Sequence, residues 1–325
     1  MKREKDSFTP KVLVIGALGQ IGQELLLALR DRYGQDAVIG SDIRVTDEAP
    51  APFISLDVMN RKKLFEVIEQ HQINTLYNLA AILSAKGEQN PEFAWKLNME
   101  GLLNSLEAAR HTCLEKIFWP SSIAVFGPNS DKNQTPQLGI MDPTTVYGIS
   151  KLAGERWCDY YSEKYDVDVR SLRYPGLIGY TSMPGGGTTD YAVEIFHEAL
   201  QKGTYECFLS ADTPLPMMFM PDAIKATIQI MEAPAESIRI RSSYNLGGIS
   251  FTPAELVVAI QQHLPTFQCS YAPDFRQAIA DSWPGSIDDS AASEDWNWQA
   301  DYDLNAMTEE MLMQLSAHYA SVPQP

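Results

Sequence analysis

KVLVIGALGQIGQELLLALRDRYG, residues 11 to 34, allows few folds. KVLVIG is a short apolar run rich in branched residues and reads as a buried strand. GALGQIG follows, with Gly16, Gly19 and Gly22 spaced by three, and QELLLALRDRYG then runs at helical periodicity to a stop at Gly34. A strand, a glycine turn and a helix in that order let the backbone turn tightly and let a pyrophosphate approach the helix N-terminus. The spacing is GxxGxxG rather than GxGxxG, so the surrounding elements carry the reading more than the glycines do.

The same alternation continues. AVIGSDI, TLYNLAAI, KIFWPSS and VDVRSLRYP read as strands. RKKLFEVIEQHQ, FAWKLNMEGLLNSLEAARHT and DPTTVYGISKLAGERWCDYYSEKY read as helices, the last with Pro143 near its first turn. Such alternation predicts an α/β chain built on a parallel, doubly wound sheet. After Pro175 the rhythm breaks. Residues 175 to 221 read as loop-rich with one helix from Tyr191 to Lys202, PDAIKATIQIMEAP as a helix returning to the first lobe, and SSYNLGG as a last strand. A helix near Pro253, an irregular stretch with proline and tryptophan, and a C-terminal helix follow. The simplest division is a cofactor lobe of residues 8–174, to which 222–248 returns, and a smaller substrate lobe of 175–325.

Asp42 closes the second strand twenty residues after Gly22. An acid there accepts hydrogen bonds from both ribose hydroxyls of an adenosine and repels a 2′-phosphate, which favours NAD over NADP. Arg44 close by keeps NADP as the minority case. Asp57, in SLDV, is placed either at the adenine edge or in solvent.

Composition removes other partners. The 325 residues carry a net charge of −17, a surface that nucleic acid and anionic membranes repel. The four cysteines are scattered without CxxC spacing, and the five histidines show no HxxxH pair, so no metal site is expected. No apolar run follows the charged start MKREKDSFTP that would serve as a signal or membrane helix, and we expect a cytoplasmic chain.

In VYGISK, Tyr147 and Lys151 are four residues apart and share a helix face. A free tyrosine has a pKa of about 10, and a neighbouring ammonium favours its phenolate. Tyr147 could then take a hydroxyl proton while a nicotinamide ring accepts hydride, with Ser122 hydrogen-bonded to the same oxygen and Lys151 holding a ribose hydroxyl. Asn98, inside a long helix, either orients a proton relay or is a buried structural residue.

GALGQIG, NLAAILSA, PSSIAVFG, YGISK and RYPGLIG together resemble the extended short-chain dehydrogenase/reductase superfamily over nearly the whole chain. The resemblance implies a Rossmann-type domain, a nicotinamide cofactor and catalysis by Ser122, Tyr147 and Lys151. It also implies cofactor contacts from Gln20, Ile21, Ala80, Ala81, Asn98, Tyr174 and Leu177, besides the three glycines and the two aspartates. Relatives of this size are mostly nucleotide-sugar epimerases or dehydratases, which must clamp a diphosphate. Residues 180 to 225 offer only Lys202 and Lys225 as cations. PGGGTTDY offers instead backbone N–H groups, two hydroxyls and a helix start, which suit one small anion such as a carboxylate.

PGGGTTDYAVEIF, TPLPMMFMPDAI and DSWPGSIDD resemble the short-chain L-threonine 3-dehydrogenase family. That likeness implies NAD-dependent oxidation of the threonine β-hydroxyl to L-2-amino-3-oxobutanoate without a metal. It places Ser84, Gly187, Thr188, Thr189 and Trp283 near the substrate; Ser84 is otherwise a loop hydroxyl, and Trp283 a packing residue or part of a lid. The rivals are a nucleotide-sugar epimerase or dehydratase and a non-catalytic NAD-binding regulator. The superfamily commonly pairs the helices that here span residues 93 to 112 and 143 to 164, so a homodimer is expected.

Overall fold

The computed structural model describes residues 10–44, 49–183 and 185–321. The charged start of the chain, Pro184 of the glycine stretch and the last four residues lie outside them.

β1 (Val12–Ile15), α1 (Gln20–Tyr33), β2 (Val38–Asp42) and β3 (Phe53–Ser55) open the chain, followed by α2 (Arg61–His71) and β4 (Thr75–Asn78). The short α3 (Ser84–Gly87) and long α4 (Pro91–His111) lead to β5 (Lys116–Phe118) and β6 (Ser121–Ser122). α5 (Val146–Tyr165) precedes three strands, β7 (Asp168–Arg170), β8 (Leu172–Tyr174) and β9 (Gly176–Ile178). The remainder is α6 (Tyr191–Lys202), β10 (Thr204–Cys207), β11 (Leu215–Phe219), α7 (Met220–Glu232), β12 (Tyr244–Asn245), β13 (Ile249–Phe251), α8 (Pro253–His263), β14 (Gln268–Tyr271), α9 (Arg276–Ser282), α10 (Ser290–Trp296) and α11 (Leu304–Ser321).

Six strands form the central sheet in the order β3-β2-β1-β4-β5-β7, and every pairing in it is parallel. The order reverses between β1 and β4, and a crevice opens at such a switch point beyond the C-terminal strand ends. This is the doubly wound, Rossmann-type arrangement expected. Leu25, Leu29, Ala223 and Ile230 cover one sheet face, and Trp296 and Trp298 from the α10 region pack in the same cluster. Leu64, Ile68, Leu102 and Leu106 cover the other. A third cluster joins α6, β11, α8 and α11 around Phe196, Phe219, Leu256 and Met311. Among the described residues no helix is long and apolar enough to cross a membrane.

Several expected bounds shift for local reasons. The helix anticipated over residues 142–165 starts at Val146, because Thr145 caps it by accepting the Gly148 N–H at 3.1 Å; Pro143 stays in the preceding loop. TLYNLAAI is strand only to Asn78. Beyond it the Ile82 backbone bonds to the Asn98 side chain instead of to a strand. KIFWPSS divides into β5 and β6 around Pro120, which has no N–H to give a ladder. VDVRSLRYP divides at Ser171, with β7 on β5 and β8 between β6 and β12. Residues 175 to 221 hold β9, β10 and β11 besides the expected helix.

Candidate active site

One cleft runs from the glycine turn after β1 to the segment before α6. At its first end α1 begins directly after Gly19, and no side chain caps it. Its first N–H groups are therefore left for an anion. A Cβ on Gly22 would lie 2.2 Å from the Gly16 carbonyl oxygen, so only glycine lets the helix pack this closely on the turn. Gln20 Nε2 is buried there without a partner, the kind of orphaned donor a pyrophosphate would satisfy. Asp42 is buried at the end of β2, its carboxylate accepting the N–H groups of Leu18 and Arg44, each at 3.2 Å. Turn, open helix start, orphaned amide and fixed acid fit a dinucleotide.

Ile21, Ala81, Tyr174 and Leu177 line the same cleft. Ala80 sits just behind, against Gly16, with its N–H bonded to Asn78 Oδ1 at 3.3 Å. Asp57 is exposed and accepts the Met59 N–H at 2.9 Å. Asn98 is buried. Its Oδ1 accepts the Ile82 N–H at 2.9 Å, and its Nδ2 donates to the Ile82 carbonyl and to Ser150 Oγ at 3.2 and 3.1 Å. Every one of these bonds pins α4 to the loop after β4 or to α5.

Ser122, Tyr147 and Lys151 meet mid-cleft. Ser122 Oγ accepts the Ala124 N–H at 3.2 Å and favours the charged form of the Tyr147 phenol beside it. Lys151 Nζ donates to the Pro120 carbonyl at 2.6 Å and lies 5.5 Å from the Tyr147 ring centroid. The spacing argument expects the lysine to lower the tyrosine pKa. Burial wins instead, pushing the Tyr147 phenol up to about 12 and the Lys151 ammonium down to about 7. Removing water penalises both charged forms, and the lysine spends its hydrogen bond on the backbone rather than on the phenol oxygen.

At the far end Ser84, Gly187, Thr188, Thr189 and Trp283 line the cleft. Thr188 is 1% exposed and its Oγ1 has no partner. The free backbone N–H groups expected in PGGGTTDY are partly spoken for: those of Gly186 and Gly187 both donate to Asp190 Oδ2, at 2.8 and 2.7 Å. Asp190 bonds backward into the loop and gives α6 no side-chain cap. Trp283 is buried, and Lys132 Nζ fixes its segment by donating to the Ser282, Trp283 and Gly127 carbonyls at 2.7, 3.4 and 3.1 Å. Lys132 escapes sequence reasoning because its partners Ser282 and Trp283 lie about 150 residues away.

Residues 12–247 match the NAD dependent epimerase/dehydratase family. An uncharacterized epimerase/dehydratase of Staphylococcus saprophyticus is 49% identical over 307 residues, 93% of this chain and 96% of that protein. The mitochondrial L-threonine 3-dehydrogenase of Sus scrofa is 47% identical over 95% of this chain and 83% of its own. The solved holo form of a GalE-like L-threonine dehydrogenase from Cupriavidus necator superposes with a TM-score of 0.93 at 56% identity, covering 94% of this chain and all of that one. The matched segment contains both the glycine turn and the Ser122–Tyr147–Lys151 group, and the chain belongs to the NAD dependent epimerase/dehydratase family.

Proposed function

We propose that this chain is an NAD-dependent L-threonine 3-dehydrogenase, oxidising the β-hydroxyl of L-threonine to L-2-amino-3-oxobutanoate. The observation that carries this reading is the charge inventory of the cleft. Lys151 is the only lysine or arginine among the described residues lining it, and it sits beside Tyr147 rather than at the substrate end. A nucleotide sugar would find no diphosphate clamp there, and a small zwitterion needs none. The L-threonine dehydrogenases among the relatives support the same substrate.

The work divides among the chain's own residues. Ser122 and Tyr147 bind the substrate hydroxyl, and Tyr147 removes its proton. Lys151 is anchored through Pro120 and holds a ribose hydroxyl. The Thr188 hydroxyl, buried and unpartnered, donates to the substrate carboxylate, with Thr189 and Ser84 beside it. Trp283 closes the wall over the small side chain and keeps water out. NAD, when bound, supplies the positively charged ring that accepts the hydride. We place the cofactor in residues 8–174 with 222–248, and the substrate groups chiefly in 175–325.

The protein is read as cytoplasmic and as a homodimer. Phe93 and Trp95 on α4, with Ile149, Trp157 and Tyr160 on α5, are exposed apolar side chains on the helices expected to pair.

The test follows NADH absorbance with L-threonine, L-serine, the decarboxylated amino alcohol and nucleotide sugars. Threonine should turn over. Serine should be disfavoured by about 1–3 kcal/mol for its missing methyl group. The amino alcohol should fail, and Thr188→Ala should weaken threonine binding while NAD binding stays normal. Turnover of a nucleotide sugar without threonine activity would defeat the proposal.

A further inference from the structure

The cleft answers the substrate's carboxylate and hydroxyl, but an amino acid also carries an α-ammonium. Among the described residues lining the cleft, one carboxylate is present, that of Asp190. Resting on the threonine reading, we infer that Asp190 receives the substrate α-ammonium and sets the preference for an amino acid over the matching hydroxy acid.

Three observations converge on it. Asp190 stands two residues from Thr188, whose buried and unpartnered hydroxyl marks the carboxylate end of the same cleft. Its two oxygens are used unequally. Oδ2 takes the Gly186 and Gly187 N–H groups at 2.8 and 2.7 Å, which fixes the carboxylate in place, while no hydrogen bond to Oδ1 forms among the described residues. A Cβ on Gly187 would come within 2.7 Å of that Oδ1, so the glycine keeps the space beside the unused oxygen clear.

The surroundings give the negative charge two backbone N–H groups but no cation in contact among the described residues. Arg276 attracts Asp190 only at a distance and is itself paired with Asp274 at 2.7 Å. Burial raises the Asp190 carboxyl above the ordinary range despite the two backbone donors. A cation arriving at Oδ1 would reverse that penalty. With the ammonium held by Asp190 and the carboxylate by Thr188, the third substituent of the α-carbon, the hydroxyl-bearing β-carbon, is directed toward Ser122 and Tyr147. Three attachment points define one enantiomer.

Asp190→Asn tests this, because the amide oxygen still accepts the Gly186 and Gly187 N–H groups while the charge is gone. L-threonine is compared with (R)-3-hydroxybutanoate, which lacks only the amino group, each measured as substrate or as competitive inhibitor. The wild type should strongly prefer threonine. In the variant kcat/KM for threonine should fall about tenfold to a hundredfold, the range of one charge-assisted bond, chiefly through KM. Affinity for the hydroxy acid should hold or improve, and NAD affinity should not change. Equal losses for both ligands would mean that Asp190 only shapes the loop, and an unchanged threonine preference would mean that it does not meet the ammonium; either overturns the inference. A wild type inactive on threonine would instead remove the reading on which it rests.

Discussion

Replacing Arg173 by methionine should cost this protein much of its stability. Arg173 is 1% exposed and Glu155 not at all. Nε and Nη2 of the arginine both donate to the Glu155 carboxylate at 2.8 Å, and Nη1 donates to the Gln137 carbonyl and Asn245 Oδ1 at 3.0 and 2.9 Å. The methionine fills similar volume but leaves Glu155 buried with the Ser121 hydroxyl at 2.7 Å as its close partner, Arg156 reaching only to 3.9 Å. Breaking one side of such a pair costs about 3–5 kcal/mol, most of it the penalty of the stranded charge. The magnitude can be separated from packing with Glu155→Leu added to Arg173→Met. With no buried charge left, the double variant should recover much of the loss. Urea unfolding followed by far-UV circular dichroism measures both. A loss below about 1 kcal/mol for Arg173→Met, or a double variant no more stable than the single one, would refute the reasoning. Because Glu155 also holds Ser121, the neighbour of Ser122, the single variant should lose turnover even where it remains folded.

Tyr147→Phe removes only the phenol oxygen and should lower kcat by about 10²–10⁴-fold with NAD affinity nearly intact, as checked by steady-state kinetics and cofactor titration. Burial holds the Tyr147 phenol up at about 12. The base therefore starts protonated, and kcat/KM for threonine should climb as pH rises above neutrality; a flat or falling profile between about pH 7 and 9 would contradict that assignment. Asp42→Ala should weaken NAD binding by at least about tenfold, the loss of one charge-assisted hydrogen bond, and narrow the gap to NADP. A wild type that prefers NADP would show the charge argument to be wrong.

How much of this was legible in the chain varies with how local the cause is. α6 ends and α8 begins where expected, since α6 stops at Gly203 and α8 opens on Pro253 inside a Thr252–Glu255 capping box. The glycine turn and the tyrosine–lysine face were equally readable, because each needs only neighbours on one element. β11 was hidden by Pro216, which argues against a strand; it lies opposite Ser250 of β13, and the pairing to β9 begins only after it, at Met217. The pKa of Tyr147 depends on how deeply the cleft buries it, and four-residue spacing says nothing about that. Asp190 and Lys132 act through a loop conformation and a contact across the fold, and neither leaves a periodic trace.

The central claim is that hydride leaves C3 of L-threonine for NAD in this cleft. L-threonine deuterated at C3, incubated with the protein and NAD, tests it directly when the reduced cofactor is analysed by mass spectrometry. The account predicts one deuterium in each reduced cofactor formed, together with L-2-amino-3-oxobutanoate. Reduced cofactor without the label would contradict it, as would an enzyme that leaves threonine untouched while converting a nucleotide sugar with no net NADH.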